Sequence, residues 1–395
     1  MIYNDFNGMS LSRLGFGCMR LPVLPDSNVP DQEKVTELIK YAYEHGVNYF
    51  DTAYPYHAGK SETALAEALK DIPRENYYLA NKFPGHSFYS PVDNSALFEL
   101  QLKRCRTDFF DFYLLHNINE WSISNYESPD FHIFPDILKK KEEGKIRHLG
   151  FSFHGGPELL EAFLTKHEGM FEFVQIQCNY LDWTLQSAKQ KYDIITKHGL
   201  GVWIMEPLRG GKLANLPDAA HEKLAAFGRG ESDAAYAFRF LQALPNIKVV
   251  LSGMNAMDQL TDNLATFDKE APLTEEETNV LLEIAEDMKK GVPCTACRYC
   301  CDGCPMELDI PTLLGFYNNY KYDPRSGVGI QIDGLDESKR PAACIQCGQC
   351  AHACPQQINV PEALAELAEL YAKAPKWSDT IKVREKDIRK DLNMD

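Results

Sequence analysis

Through the first 270 residues, short apolar runs of strand length alternate with segments of helical period. The strand-like runs are SRLGFG (12–17), VNYFD (47–51), YYLANK (77–82), DFYLLH (111–116), IRHLGFS (146–152), FEFVQIQCN (171–179), VWIMEPL (202–208) and IKVVLSG (247–253). Between the first two, Val35, Leu38, Ile39 and Ala42 form one helical stripe that Gly46 ends. Leu65, Ala68, Leu69 and Ile72 repeat the stripe, with Ser61 as the expected cap. Eight β–α units in about 250 residues predict an α/β fold, a (β/α)8 TIM barrel. A doubly wound sheet is the alternative. The count of eight and the lack of a GxGxxG turn after the first run favour the barrel.

A barrel places its chemistry at the C-terminal ends of its strands. Asp51, Lys82, His116, Ser152, Asn179 and Ser252 close their runs, Glu206 lies late in the seventh, and Tyr56 follows Asp51 by five residues. A single lysine there is ordinarily a solvated rim residue, and a single histidine a hydrogen-bonded core residue. Convergence of a carboxylate, an amine, an imidazole and a phenol on one mouth points to acid–base chemistry.

The segments FDTAYPYHAGKSE (50–62), LANK (79–82) and LLH (114–116) resemble the aldo-keto reductase superfamily over residues 8–270. Asp, Tyr, Lys and His fall in that family's order and spacing. The resemblance implies hydride transfer between NADP or NAD and a small carbonyl or alcohol, with Tyr56 as general acid/base. Lys82 would favour the phenolate, Asp51 would hold Lys82 in place and charged, and His116 would hydrogen-bond the substrate oxygen. It also implies cofactor contacts. Ser152 and Gln175 match carboxamide-binding positions, although Phe153 stands where the family usually has Asn. Glu206, Leu208, Arg209, Gly210 and Gly211 fall in the segment MEPLRGG, whose loop runs along the pyrophosphate. Ser252, Gly253, Gln259, Asp262 and Asn263 fall in SGMNAMDQLTDN, on the adenine side. Gln259 occupies a place where a basic residue often grips a 2′-phosphate, which leaves NADH open as the cofactor.

The cysteines divide the chain. Of twelve, nine lie between Cys294 and Cys354. Cys294-x2-Cys297-x2-Cys300-x3-Cys304-Pro305 is repeated as Cys344-x2-Cys347-x2-Cys350-x3-Cys354-Pro355. This is the bacterial two-cluster ferredoxin spacing, in which the fourth cysteine of each motif ligates the other cluster. One [4Fe–4S] cluster is assigned to Cys294, Cys297, Cys300 and Cys354, the other to Cys344, Cys347, Cys350 and Cys304. The prolines stop a helix from running on through the ligand. Two zinc sites are the alternative, but three cysteines within seven residues crowd a single ion. Cys301 is surplus, or stands in for Cys300.

The expected domains are a barrel (1–272), a linker helix (273–291), a mainly helical ferredoxin-like domain (292–360) and a helical tail (361–395). Thr274 and Glu277 form a capping box for the linker helix, which Lys289, Lys290 and Gly291 close. The insert 305–343 is expected to hold short helices over the clusters. The last residues, KVREKDIRKDLNMD, read as a solvated or frayed end. Trp121, Tyr126, Phe131 and Trp183 are candidate pocket walls, and 117–130 a candidate lid.

A net charge of −16 without a basic patch argues against a nucleic-acid partner. No apolar run reaches membrane-spanning length. The start lacks a basic segment followed by an apolar one, so the cytoplasm is the expected compartment. The clusters exchange electrons with a protein partner, or they only stabilise the tail. The alternative to an enzyme is a redox-sensing or electron-relay subunit that binds nicotinamide without fast turnover.

Overall fold

Each of the eight apolar runs overlaps one strand of a closed parallel barrel. The computed structural model describes residues 1–289, 291–292, 294, 296–298, 300–322, 327–354, 356–374 and 376–394; Lys290 and Pro355, named above, lie outside the described residues. The chain opens with a hairpin, β1 (Tyr3–Phe6) and β2 (Met9–Ser12), which no apolar run announces. The barrel follows: β3 (Leu14–Gly17), β4 (Tyr49–Asp51), β5 (Tyr78–Phe83), β6 (Phe110–Ile118), β7 (Ile146–Phe153), β8 (Phe173–Gln177), β9 (Gly201–Met205) and β10 (Ile247–Ser252). β10 pairs with β3 and closes the ring.

The interior is filled by large side chains. Tyr49, Phe112, Leu114, Phe173, Trp203, Val249 and Leu251 are buried together, and Phe6 and Leu11 of the hairpin join them. The hairpin is therefore the barrel's floor. Where strands approach too closely for a side chain, glycine stands. A Cβ on Gly15 would lie 2.7 Å from Val249 and 2.8 Å from Leu251, and one on Gly150 2.6 Å from Phe173. Gly15→Ala should cost about 1–3 kcal/mol by overpacking, read as a lower urea midpoint with unchanged slope.

Side chains alternate along a strand, so the packing dictates what comes next. Two residues beyond Tyr49, Ala80, Leu114, Gly150 and Phe173 stand Asp51, Lys82, His116, Ser152 and Gln175. Filling the barrel with the first set turns the second set inward at the mouth.

The outer helix Gln32–Glu44 buries Val35, Leu38, Ile39 and Ala42 as its stripe predicts. Ser61 is not a cap but the first residue of the helix Ser61–Leu69. Its hydroxyl bonds Cys18 O (3.0 Å) and Thr52 Oγ1 (2.9 Å), tying the first two mouth loops together. The linker helix Glu275–Met288 carries the expected capping box and packs Leu281, Ile284 and Ala285 into the barrel's hydrophobic core.

The cysteine-rich segment has a second core built from Leu308, Leu313, Leu314, Val328, Ile332, Val360, Leu364 and Leu367. Its insert holds the helices Ile310–Tyr322 and Val328–Asp333. The helix Val360–Lys373 follows, and then Trp377–Asp391. This last helix corrects the expectation of a solvated end. Ile381 and Ile388 are fully buried, and Asp391 accepts hydrogen bonds from Tyr54 (2.5 Å) and Arg104 (2.6 Å) of the barrel. Among the described residues no helix is long and apolar enough to cross a membrane.

Candidate functional site

Asp51, Lys82, Tyr56 and His116 meet at the barrel mouth. Lys82 is fully buried, and its Nζ donates to Asp51 Oδ1 (2.5 Å) and to Thr52 O (2.8 Å). The same ammonium lies 5.0 Å from the centre of the Tyr56 ring. The Tyr56 ring is half-buried and meets the His116 ring edge-on, with centroids 5.8 Å apart. The short helical turn Tyr56–Gly59 carries the phenol. Its residues His57 and Ala58 both have left-handed φ, near 50°, a strained conformation held in place by its surroundings. Part of that hold is visible: His57 Nε2 accepts from Leu21 N (3.1 Å), and Tyr56 N donates to Ala53 O (3.1 Å).

Burial sets the protonation states. Desolvation works against the charge on Lys82, but Asp51 and the Tyr56 oxygen outweigh it, so its pKa stands above the ordinary amine value. For Tyr56, desolvation raises the pKa and Lys82 pulls it down; the net direction is upward. The ammonium therefore moderates a raised phenol and does not produce a depressed one, contrary to the simplest expectation from the sequence. Burial and the neighbouring His86 push His116 well below the ordinary imidazole value. It is neutral at physiological pH, and its Nδ1 is buried without a hydrogen-bond partner.

The expected cofactor residues divide into two groups. Ser152 and Gln175 line up across β7 and β8 and are both buried. The Gln175 amide oxygen is buried without a hydrogen-bond partner. Ser152 Oγ accepts from Asn117 N (2.7 Å). Phe153 is wholly buried and offers no polar group. In the second group, polar side chains are engaged locally. Ser252 Oγ accepts from Asn263 (3.0 Å), Asp262 accepts from Ser232 (2.7 Å), and Gln259 accepts from Asn255 N (3.0 Å). Arg209 departs most from expectation. Its guanidinium is buried in an ion pair with Asp182 and donates to Asn319 Oδ1 (2.5 Å), on the helix Ile310–Tyr322. That side chain binds the two halves of the molecule together. Gly210 and Gly211 both have positive φ there, and Leu208 precedes them.

Sequence reasoning missed Arg20. It pairs with Glu206 (2.7 Å) and lies beside Gly210 and Gly253, so close that a Cβ added to either glycine would come within 3.3 and 3.0 Å of it. It sits in the CMRL segment just after β3, which carries no motif of its own.

The candidate walls separate likewise. Trp121 and Phe131 line a cleft with Tyr89, Asp333, Asp336 and Glu337. Tyr126 is a buried brace, donating to His116 O (2.5 Å) and Phe83 O (3.2 Å). Trp183 packs edge-on against Phe240, at 5.4 Å. The segment 117–130 is no open lid. It contains the helix Ile123–Glu127, and Asn125 fastens it to Gly85 O (3.0 Å) and Phe88 O (2.7 Å).

The cysteines line two separate hollows. Cys294, Cys297, Cys300 and Cys354 surround one, with Leu314, Ile358 and Val360. Cys304, Cys344, Cys347 and Cys350 surround the other, with Met306, Leu308, Ile310 and Leu364. Each hollow takes three cysteines from one motif and the fourth from the other, in apolar surroundings that suit an iron–sulfur cube. Cys301 lines neither. Among the described residues no three His, Cys, Asp or Glu side chains close on a single ion; a cube holds its thiolates further apart. Cys18, Cys105 and Cys178 are buried away from both hollows.

Residues 13–286 match the model of the aldo/keto reductase family, and residues 293–359 that of the 4Fe-4S dicluster domain. The chain belongs to the aldo/keto reductase family, an oxidoreductase class that works with NAD(P)H. It is similar to probable aldo-keto reductase 1 of Glycine max, 28% identical over 212 residues, which span 52% of this chain and 58% of that one. It is also similar to the NADH-specific methylglyoxal reductase of Escherichia coli (strain K12), 23% identical over 71% of this chain and 97% of that one. Among solved structures, the thermostable aldo-keto reductase Tm1743, in complex with the inhibitor epalrestat, superposes with a TM-score of 0.60. It is 26% identical, over 72% of this chain and all of that one.

Proposed function

We propose that the protein is an NAD(P)H-dependent carbonyl reductase or alcohol dehydrogenase with two [4Fe–4S] clusters. The observation that carries this reading is the buried Asp51–Lys82 pair set under Tyr56. A module that only bound nicotinamide would have no use for it. Bound nicotinamide would supply or take the hydride. Ser152 and Gln175 would hold its carboxamide, and the backbone of residues 208–211 would face its pyrophosphate. The E. coli relative is named as NADH-specific, and no basic residue stands at Gln259, which favours NADH.

The residues' own part is proton handling. The raised pKa keeps the proton on Tyr56 at neutral pH, so the phenol is a ready donor to a substrate oxygen. When the proton leaves, the Lys82 ammonium faces the new phenolate, and Asp51 keeps that ammonium fixed. Neutral His116 would orient the substrate oxygen by a hydrogen bond. The substrate class is a small carbonyl or alcohol. The two hollows would hold the clusters, and an electron-transfer protein is the corresponding partner.

An anaerobic screen of aldehydes and ketones with NADH and NADPH tests this reading. It should find dinucleotide oxidation that depends on carbonyl, in a protein whose visible absorbance bleaches with dithionite. Dinucleotide binding with no turnover of any carbonyl or alcohol would favour the relay alternative.

A further inference from the structure

Between the barrel and the cysteine-rich half lies a cavity of about 40 Å³, enough for a group of about three heavy atoms. The barrel contributes His154, Gln177, Gln186 and Lys191 to its wall, and the other half contributes Asn319 and Gln331. Gln331 Nε2 donates to His154 O (3.2 Å) across this seam. Among the described residues no carboxylate lines the cavity.

Lys191 is the charge in that wall. It stands on the helix Ala188–Lys197 and is only 3% exposed. Among the described residues its ammonium has no hydrogen-bond partner and no ion pair; the groups that act on it are the Cys178 thiol and the Glu120 carboxylate. Glu120 is engaged elsewhere, accepting from Gly156 N (2.7 Å). Asp182, which accepts from Gln177 (2.8 Å), is matched by Arg209. Desolvation without a counter-charge pulls the Lys191 pKa down to about 8, so it still carries its proton at neutral pH. A buried ammonium so placed costs stability unless an anion reaches it, and a methionine would fill the place without that cost. Two donors stand beside it: the Gln186 side chain and the Asn319 amide nitrogen have no hydrogen-bond partner among the described residues. His154 links the cavity to the active site. The Lys191 charge acts on His154, and His154 in turn acts on His116.

We propose that this cavity binds a small carboxylate, with Lys191 as its counter-ion and the Gln186 and Asn319 amides as hydrogen-bond donors. A carboxylate has three heavy atoms, and its bond to an ammonium is of the strong, charge-assisted kind. The carboxylate is an acid group on the substrate or a free solute that fastens the two halves of the molecule together. The first of these rests on Tyr56 being the reducing site; the anion site itself does not.

The test titrates formate and its neutral counterpart formamide by calorimetry into the full-length protein, purified anaerobically in a buffer free of small anions. The wild type should bind formate saturably and formamide not. Lys191→Met should weaken formate binding by about tenfold or more, and Gln186→Leu by a smaller factor. Circular dichroism and the visible absorbance report that the variants fold. Binding should also fade as pH rises through about 8, where Lys191 gives up its proton. Neither Cys178, pushed up to about 12 by burial, nor His154, held below the ordinary imidazole value by desolvation and by Lys191, titrates in that window. Kinetics separate the two sources. If the carboxylate is the substrate's, formate competes with glyoxylate, and Lys191→Met raises KM for glyoxylate but not for methylglyoxal. If it is a free solute, formate raises the unfolding midpoint of the wild type alone and leaves both KM values unchanged. No saturable formate binding, binding equal in wild type and Lys191→Met, or an affinity that stays flat through pH 8 overturns the proposal. Absence of any carbonyl reduction would refute the reductase reading and leave the formate titration to decide the anion site.

Discussion

Tyr56→Phe should lower carbonyl reduction by about 10²- to 10⁴-fold, the usual contribution of a positioned general acid. The ring, its packing on His116 and the Lys82 contact all survive the change, because only the hydroxyl is lost. Dinucleotide binding, read by fluorescence titration, should therefore stay near the wild-type value. The raised phenol pKa adds a directional expectation. Reduction needs the protonated phenol, so its rate should hold through neutral pH and fall only in the alkaline range. Alcohol oxidation needs the phenolate and should rise over the same range. Lys82→Met should move both limbs further toward alkaline pH, because the cation that draws the phenol down is gone. A Tyr56→Phe variant that keeps its full rate would remove the phenol from the mechanism.

How legible these features were depended on how local their causes are. Strand position follows from apolar runs of the right length, and Asp51, Lys82 and His116 follow from their places at the ends of those runs, whereas Gln175 was legible only through the family resemblance. Neither needs knowledge of distant partners. The floor hairpin escaped notice because Tyr3–Phe6 and Met9–Ser12 are four residues each, and only Phe6, Leu11 and Ser12 are buried. The final helix escaped for a different reason. Its apolar anchors, Ile381 and Ile388, stand seven residues apart in a charged segment, and its polar anchors belong to the barrel. Arg209 shows the same limit. An RGG loop suggests an anion site, but Asp182 and Asn319 are distant in sequence and claim the guanidinium. The cysteines were readable because cluster ligation imposes its spacing directly on the chain.

Cys354→Ala should remove the fourth ligand from the cluster bounded by Cys294, Cys297 and Cys300, although Cys354 belongs to the second motif. Iron and acid-labile sulfide should fall to about half. Double variants identify the partner by their non-additivity. Cys297→Ala with Cys354→Ala should lose no more iron than either change alone, since both strike one cube. Cys347→Ala with Cys354→Ala should lose nearly all, since they strike two. The reverse pattern would mean that each motif closes its own cluster. The same variants bear on what the clusters do. With these ligand sets each cube would join residues from before and after the insert, and the helix Trp377–Asp391 begins beyond them. Loss of a cube should therefore loosen that helix from Ser90 and Tyr54 and raise its proteolytic sensitivity. If carbonyl reduction by NAD(P)H continues while that helix becomes sensitive to protease, the clusters support the tail. If reduction by dinucleotide is unaffected and only electron exchange with a protein partner is lost, they carry electrons.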